Sequence, residues 1–184
     1  MPNRDDKTAV GEIRLVPATS RHLDLEDISG AELARELGVA PPPSWPPEHN
    51  GPETRQWVRD ALRTRPDASA WYSSYVIALV GASETLVGIC GFKGPPDESA
   101  TVEIGYSIVP ELQRRGLATR AVALLCDRAA IGGAKVVTAE TLPALIASQG
   151  VLLKSGFERF ETYQDAEAGE VWRFRRQAQL LRSK

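Results

Sequence analysis

Cysteine, histidine and net charge are all scarce in this sequence, and each scarcity closes off a class of function. Cys90 and Cys126 are the only two cysteines among 184 residues. They stand in apolar stretches without CxxC spacing, so they read as reduced core thiols rather than a disulfide, redox or zinc framework. The two histidines, His22 and His49, lie outside any motif and read as surface or structural residues. No Ser/His/Asp set, Walker loop or metal-ligand cluster is present, so no metal is expected. A formal net charge of -2 leaves no global basic field for nucleic acid. No apolar run approaches the ~18 residues that span a bilayer, and the start MPNRDDKTAV has no signal-like apolar core. The expectation is a soluble cytoplasmic protein with neither a membrane nor a nucleic-acid partner.

What the chain does contain fits one globular domain. With 42% hydrophobic and 25% charged residues it can bury a sizeable core. Residues 1–10 are polar and read as a flexible N-terminus, and residues 11–184 as a single domain. The alternation of Ile13 and Leu15 against Arg14 predicts a first strand. Leu23, Ile28, Leu33 and Leu37 predict two short helices broken at Ser29-Gly30. Residues 39–52 carry six prolines around Trp45, which excludes regular helix or central strand. This stiff stretch reads either as a linker or as a loop packed over the domain, with Trp45 then lining an acceptor pocket. A further helix is expected over 53–63, its Trp57 placed in the core. Strands follow over 71–80 and 85–92, joined by a turn at 81–84.

The chain is organised around residues 101–130, TVEIGYSIVPELQRRGLATRAVALLCDRAA. Its β-branched and aromatic opening predicts a strand that ends before Pro110. From Gly116 onward Leu117, Ala121, Leu124 and Leu125 recur at helical steps. A strand that feeds a helix through a short loop places the free N–H groups of the first helical turn where an anion is favoured. Gly116 admits close backbone approach, Ala118 stays small, Thr119 offers a hydroxyl, and Arg114 and Arg115 add positive charge. Ordinary connections also use glycine and basic residues, so loop chemistry alone leaves phosphate cradle and plain connector both open. Beyond it, a fifth strand over 135–141 must return parallel to the fourth, a helix over 144–155 ends at Gly156, and a hairpin spans 157–162 and 171–176.

The run Gln113-Arg114-Arg115-Gly116-Leu117-Ala118 resembles the Gln/Arg-x-x-Gly-x-Gly/Ala acetyl-CoA signature of the GNAT superfamily of N-acetyltransferases. GFKG at 91–94, EIGYSIVP at 103–110 and ASQGVLLKSGF at 147–157 are similar to its ribosomal-protein N-terminal acetyltransferase branch. The four landmarks occur in the family's order. The resemblance implies an α/β fold with a mixed, mostly antiparallel sheet, splayed between the fourth and fifth strands and covered by helices on both faces. It implies acetyl-CoA as co-substrate, an amine acceptor and a possible homodimer. Backbone roles toward the cofactor are implied for Ile108, Arg114, Arg115, Gly116, Leu117, Ala118 and Thr119, and Gln113 opens the loop that holds it.

Acetyl transfer to an amine needs the nucleophile neutral, and a lysine-type amine near pKa ~10.4 is almost wholly protonated at neutral pH. Glu103 matches the glutamate of the EIGY motif and is the leading base, directly or through a water. As an ordinary strand glutamate it would instead face solvent or pair with a basic neighbour. The family resemblance implies that Ser148 supports the leaving sulfur; a serine near a helix start also serves to satisfy backbone groups. Trp45 and Tyr106 are the candidate acceptor contacts. Two positions depart from the family pattern. Leu152 stands where many relatives carry a tyrosine, and Leu145 where relatives carry an asparagine that bonds the cofactor. Those departures keep a second reading open, a noncatalytic acyl-CoA-binding sensor. The acceptor itself, whether peptide α-amine or small-molecule amine, is not legible.

Overall fold

A computed structural model describes residues 10–42 and 44–179. The expected flexible N-terminus lies outside the described residues except for Val10, which opens the first strand. Strands β1 (Val10–Pro17), β2 (Ser73–Val80), β3 (Ser83–Phe92), β4 (Thr101–Ile108), β5 (Val136–Thr141), β6 (Glu158–Asp165) and β7 (Gly169–Gln177) form one sheet in the order β1-β2-β3-β4-β5-β7-β6. Every neighbouring pair is antiparallel except β4 and β5. That parallel pair needs a crossover, and the helix between them supplies it.

The two-residue step between Val80 and Ser83 makes the β2–β3 hairpin tighter than the four-residue turn expected, with Gly81 at a positive φ of 61°. The strand expected from residue 71 starts only at Ser73, because Trp71 closes a 3-10 turn that runs from Pro66. Trp71 packs edge-on against Phe92, with ring centroids 5.0 Å apart.

Helices cover both faces. On one lies α4 (Leu117–Ile131), which buries Leu117, Ala121, Val122, Leu125, Cys126 and Ala129 against Val102, Ile104 and Ile108 of β4. Both cysteines are free and buried there, and burial pushes Cys90 up to about 12 and Cys126 up to about 11. Beside it sits α5 (Ile146–Lys154), with Leu152 fully buried. On the other face, α1 (Ser20–Ile28), α2 (Gly30–Glu36) and α3 (Pro52–Thr64) enclose a second cluster built on Leu23, Leu33, Val58 and Tyr75. Ser29 ends α1 and caps α2, its hydroxyl accepting from Glu32 N, which explains the break the sequence shows there.

The proline-rich stretch packs over the domain through one buried carboxylate. Glu26, 5% exposed, accepts hydrogen bonds from Trp45 Nε1 at 2.9 Å, Asn50 Nδ2 at 2.5 Å and the Tyr75 phenol at 2.9 Å. Burial raises the Glu26 carboxyl above its usual range, and the three donors together with Arg55 offset part of that cost. Among the described residues no helix is long and apolar enough to cross a membrane, and no cluster of His, Cys, Asp and Glu could hold a metal ion.

Candidate active site

The site begins where the sheet splits. β4 stays paired with β3 to its last residue, Ile108 opposite Gly88, but its ladder with β5 stops at Ile104 opposite Ala139. Two bonds fix which backbone groups face the gap. Lys93 N donates to Glu103 O, and Val109 N donates to Val87 O, so the odd-numbered residues of β4 turn their peptide groups toward β3. Those of Tyr106 and Ile108 therefore point the other way, toward the departing β5.

Above the gap stands the first turn of α4. Gly116 takes a left-handed conformation, φ 77°, and no side chain caps the helix. The first bond of the helix is Arg120 N to Gly116 O, so the N–H groups of Leu117, Ala118 and Thr119 precede the helical ladder. A Cβ built on Gly116 meets nothing closer than Arg120 Nε at 4.0 Å, which leaves the surface above it open. Arg114 is also left-handed, φ 58°, while Arg115 Nη2 donates to Glu111 O at 3.0 Å and stiffens the loop. Gln113 Nε2 donates to Ile108 O at 2.9 Å. Its side chain thus braces the loop against the end of β4.

Across the gap, Tyr106 reaches α5. Its phenol donates to Ser148 O and shares a hydrogen bond with Ser148 Oγ, both at 3.1 Å. Burial raises the Tyr106 phenol and the bond to Ser148 only partly offsets this, so the phenol keeps its proton at neutral pH. Ser148 is not the cap of α5; Leu145 occupies that position and offers no side-chain bond. The sequence placed Tyr106 and Ser148 in separate roles, and the fold joins them into one pair.

On the α3 face a cavity of about 580 Å³ reaches the same stretch of β4. His49, Trp57, Ile89, Lys93, Gly105 and Tyr106 are among its walls. Trp57, expected in the core, is instead 45% exposed: the buried face of α3 runs through Val58 and Leu62, and the indole rests edge-on against Tyr72 with centroids 5.8 Å apart. His49, read as surface or structural, also joins the lining. Neither was legible, since no periodicity marks the rim of a cavity formed by four separate segments. Trp45 does not line it, because its indole is held on Glu26 and packs over Gly30.

Glu103 lies one residue before the β4–β5 ladder ends, its side chain 22% exposed and ion-paired to Lys93 Nζ. Lys93 is at the same time a wall of the cavity and lies 3.8 Å from Glu140 Oε2. Arg173 Nε approaches Glu140 Oε1 at 3.3 Å from β7. The carboxylate is therefore next to the cavity, with an ammonium between.

A family model described as an acetyltransferase (GNAT) domain matches residues 12–158, well over half of the chain. No curated protein matches the sequence. Solved structures share the fold at low identity. RimJ from Mycobacterium smegmatis, in complex with CoA-disulfide, is 17% identical with a TM-score of 0.64, covering 97% of this chain and 91% of that one. The ribosomal-protein-S5-alanine acetyltransferase from Vibrio fischeri is 16% identical with a TM-score of 0.62, covering 92% and 97%. A mutant of the spermidine N-acetyltransferase SpeG from Vibrio cholerae is 15% identical with a TM-score of 0.63, covering 90% and 94%.

Proposed function

The chain belongs to the GNAT acetyltransferase family, and on that premise we propose that it moves the acetyl group of acetyl-CoA to a primary amine by direct attack on the thioester. The observation that carries this reading is the meeting of two openings at residues 105–107. The gap beside β4 lies under the uncapped turn of α4, and the cavity on the opposite face ends on Gly105, Tyr106 and Ser107. An acyl donor held in the first and an amine held in the second would touch there.

Bound acetyl-CoA supplies an acyl group already activated as a thioester. The chain's own groups do the rest. The N–H groups of Leu117, Ala118 and Thr119 and the dipole of α4 favour the pyrophosphate, helped by Arg114 and Arg115. The backbone of Tyr106 and the N–H of Ile108, whose carbonyl already accepts from Gln113 Nε2, offer strand-like bonds to the pantetheine arm. Glu103 removes the amine proton, directly or through a water, once Lys93 lets go of it. Ser148 supports the departing sulfur once the Tyr106 phenol turns its proton from Ser148 O to Ser148 Oγ, which leaves the serine O–H free to donate. No tyrosine stands at Leu152, and the phenol of Tyr106 reaches the same helix from β4 instead.

Two buried, unpaired thiols fit a reducing compartment, which is where we place the enzyme, in the cytoplasm. The experiment is a thiol-release assay with acetyl-CoA and a panel of amines, run on the wild type and on Glu103→Gln. Release that depends on an amine and falls at least a hundredfold in the variant supports the proposal. Coenzyme A binding without release on any amine opposes it.

A further inference from the structure

The fold leaves the acceptor open, because structures of similar shape include both a ribosomal-protein enzyme and a spermidine enzyme. The charge and shape of the α3-face cavity decide between such amines. Its volume of about 580 Å³ suits a small ligand or the first residues of a peptide. Its walls carry Trp57, Val58, Ile89 and Phe92, with His49, Thr54, Ser73 and Ser107 as the polar groups at intervals. No aspartate or glutamate is among the lining residues, and the one permanently charged side chain is the cation Lys93.

A polyamine brings at least one more ammonium than the one that reacts. That second charge needs a carboxylate at the far end of the site, since an unpaired cation in an apolar cavity is strongly disfavoured. The carboxylates that pair with lining residues do not serve. Glu103 and Glu140 are both turned to Lys93, and Glu140 is shared with Arg173. Glu48, 3.8 Å from His49 Nε2, has a side chain 70% exposed, so water screens its charge. A second ammonium would meet Lys93 itself. A single ammonium with an apolar body asks for less: it needs one carboxylate, Glu103, which the reaction itself requires to be freed from Lys93, and its body would cover the half-exposed Trp57 indole.

Gly105 points the same way. It lies on the cavity floor where β4 parts from β5, and a Cβ built there meets no atom within 4 Å. Packing therefore makes no demand for glycine at this position. Its bare floor gives room beside the reacting nitrogen.

Building on the acetyltransferase reading, we propose that the acceptor is a singly charged primary amine with an apolar or aromatic body, and that Lys93 turns polyamines away. The source of the amine is a free aralkylamine or a peptide N-terminus, which offer the same chemistry.

The test measures binding without turnover. Protein saturated with coenzyme A is titrated calorimetrically with phenethylamine, a tripeptide amide that begins with phenylalanine, and spermidine. At least one of the first two is expected to bind tenfold or more tighter than spermidine, and whichever is tighter names the source. Gly105→Val should weaken that binding at least tenfold with melting temperature and coenzyme A affinity unchanged. Lys93→Glu, at a side chain 58% exposed and so tolerant of change, should improve spermidine binding tenfold or more. Spermidine binding as tightly as the other two, no binding by any of the three, or a ranking untouched by Lys93→Glu overturns the inference. Because these readouts need no chemistry, the ranking stands if no amine is ever acetylated; that outcome would remove the transfer reading alone.

Discussion

The phenol of Tyr106 lies 3.1 Å from both the carbonyl oxygen and the hydroxyl of Ser148, and so ties β4 to the first turn of α5 across the break in the sheet. If the two act as a unit on the departing sulfur, their losses are not additive. Tyr106→Phe and Ser148→Ala should each lower kcat about tenfold or more, and the double variant should lose no more than the worse single one. Coenzyme A affinity should change little. Steady-state kinetics on the four proteins of the cycle checks this, and fully additive losses would mean that the bond orients nothing.

Gly116 should be the most sensitive position of the loop. Its φ of 77° is left-handed, so Gly116→Ala places a side chain in a conformation that costs about 1 kcal/mol. A β-branched residue costs more. Thermal unfolding should show a small loss for alanine and a larger one for valine, with the affinity for coenzyme A falling in the same order. An affinity unchanged in both would remove the loop from the cofactor site.

Glu26 should carry stability rather than chemistry. Removing it in Glu26→Ala leaves the buried donors of Trp45, Asn50 and Tyr75 without their acceptor. Each such group costs about 1–3 kcal/mol, although relaxation and water lower the sum. A loss of roughly 3 kcal/mol in urea unfolding is expected, with activity per folded molecule retained.

Acid should loosen the contact between α1 and α3. Burial acts to raise the Asp27 carboxyl, but Arg55 Nε and Arg59 Nη2, each 2.7 Å away, outweigh it and hold it below the usual aspartate range. Between that lowered value and the unfolded value of about 3.9, the unfolded chain binds a proton the folded chain does not, so stability rises with pH there. The contribution is complete above the unfolded value and disappears as pH falls through the folded one. Asp27 is 43% exposed, which limits it to under about 1 kcal/mol. Asp27→Asn should therefore lower stability at pH 7 and match the wild type in the strongest acid, as read from unfolding curves across pH.

Much of this architecture is legible in the sequence where one local rule governs. The step from the β-branched run of β4 to the helical period after Gly116 gives strand, loop and helix nearly to the residue. Ser29-Gly30 marks a break because one serine both ends α1 and caps α2. The Gln113–Thr119 loop was legible as a candidate cradle from glycine placement, and the family pattern singled out Glu103 and Ser148.

What stayed hidden depends on register and on distant segments. That Tyr106 and Ile108, rather than their neighbours, turn their peptide groups to the gap follows from the β3–β4 pairing, which no single strand encodes. Trp45 and Trp57 look alike as tryptophans beside apolar residues. One is anchored by Glu26 from α1, the other left on a cavity rim by the geometry of α3. That Glu103 pairs with a basic neighbour was one of the readings open in the sequence, but that the neighbour is Lys93 was out of view, since the pair joins the end of β3 to the next strand through space.

The proposed transfer depends on acetyl-CoA lying between β4 and β5 with its pyrophosphate on the first turn of α4. Titrating isotopically labelled protein with acetyl-CoA and following the backbone amides reads that placement residue by residue. Tyr106, Ile108, Leu117, Ala118 and Thr119 should shift most and saturate together. Saturable binding that leaves those amides unmoved, or no binding at all, would contradict it.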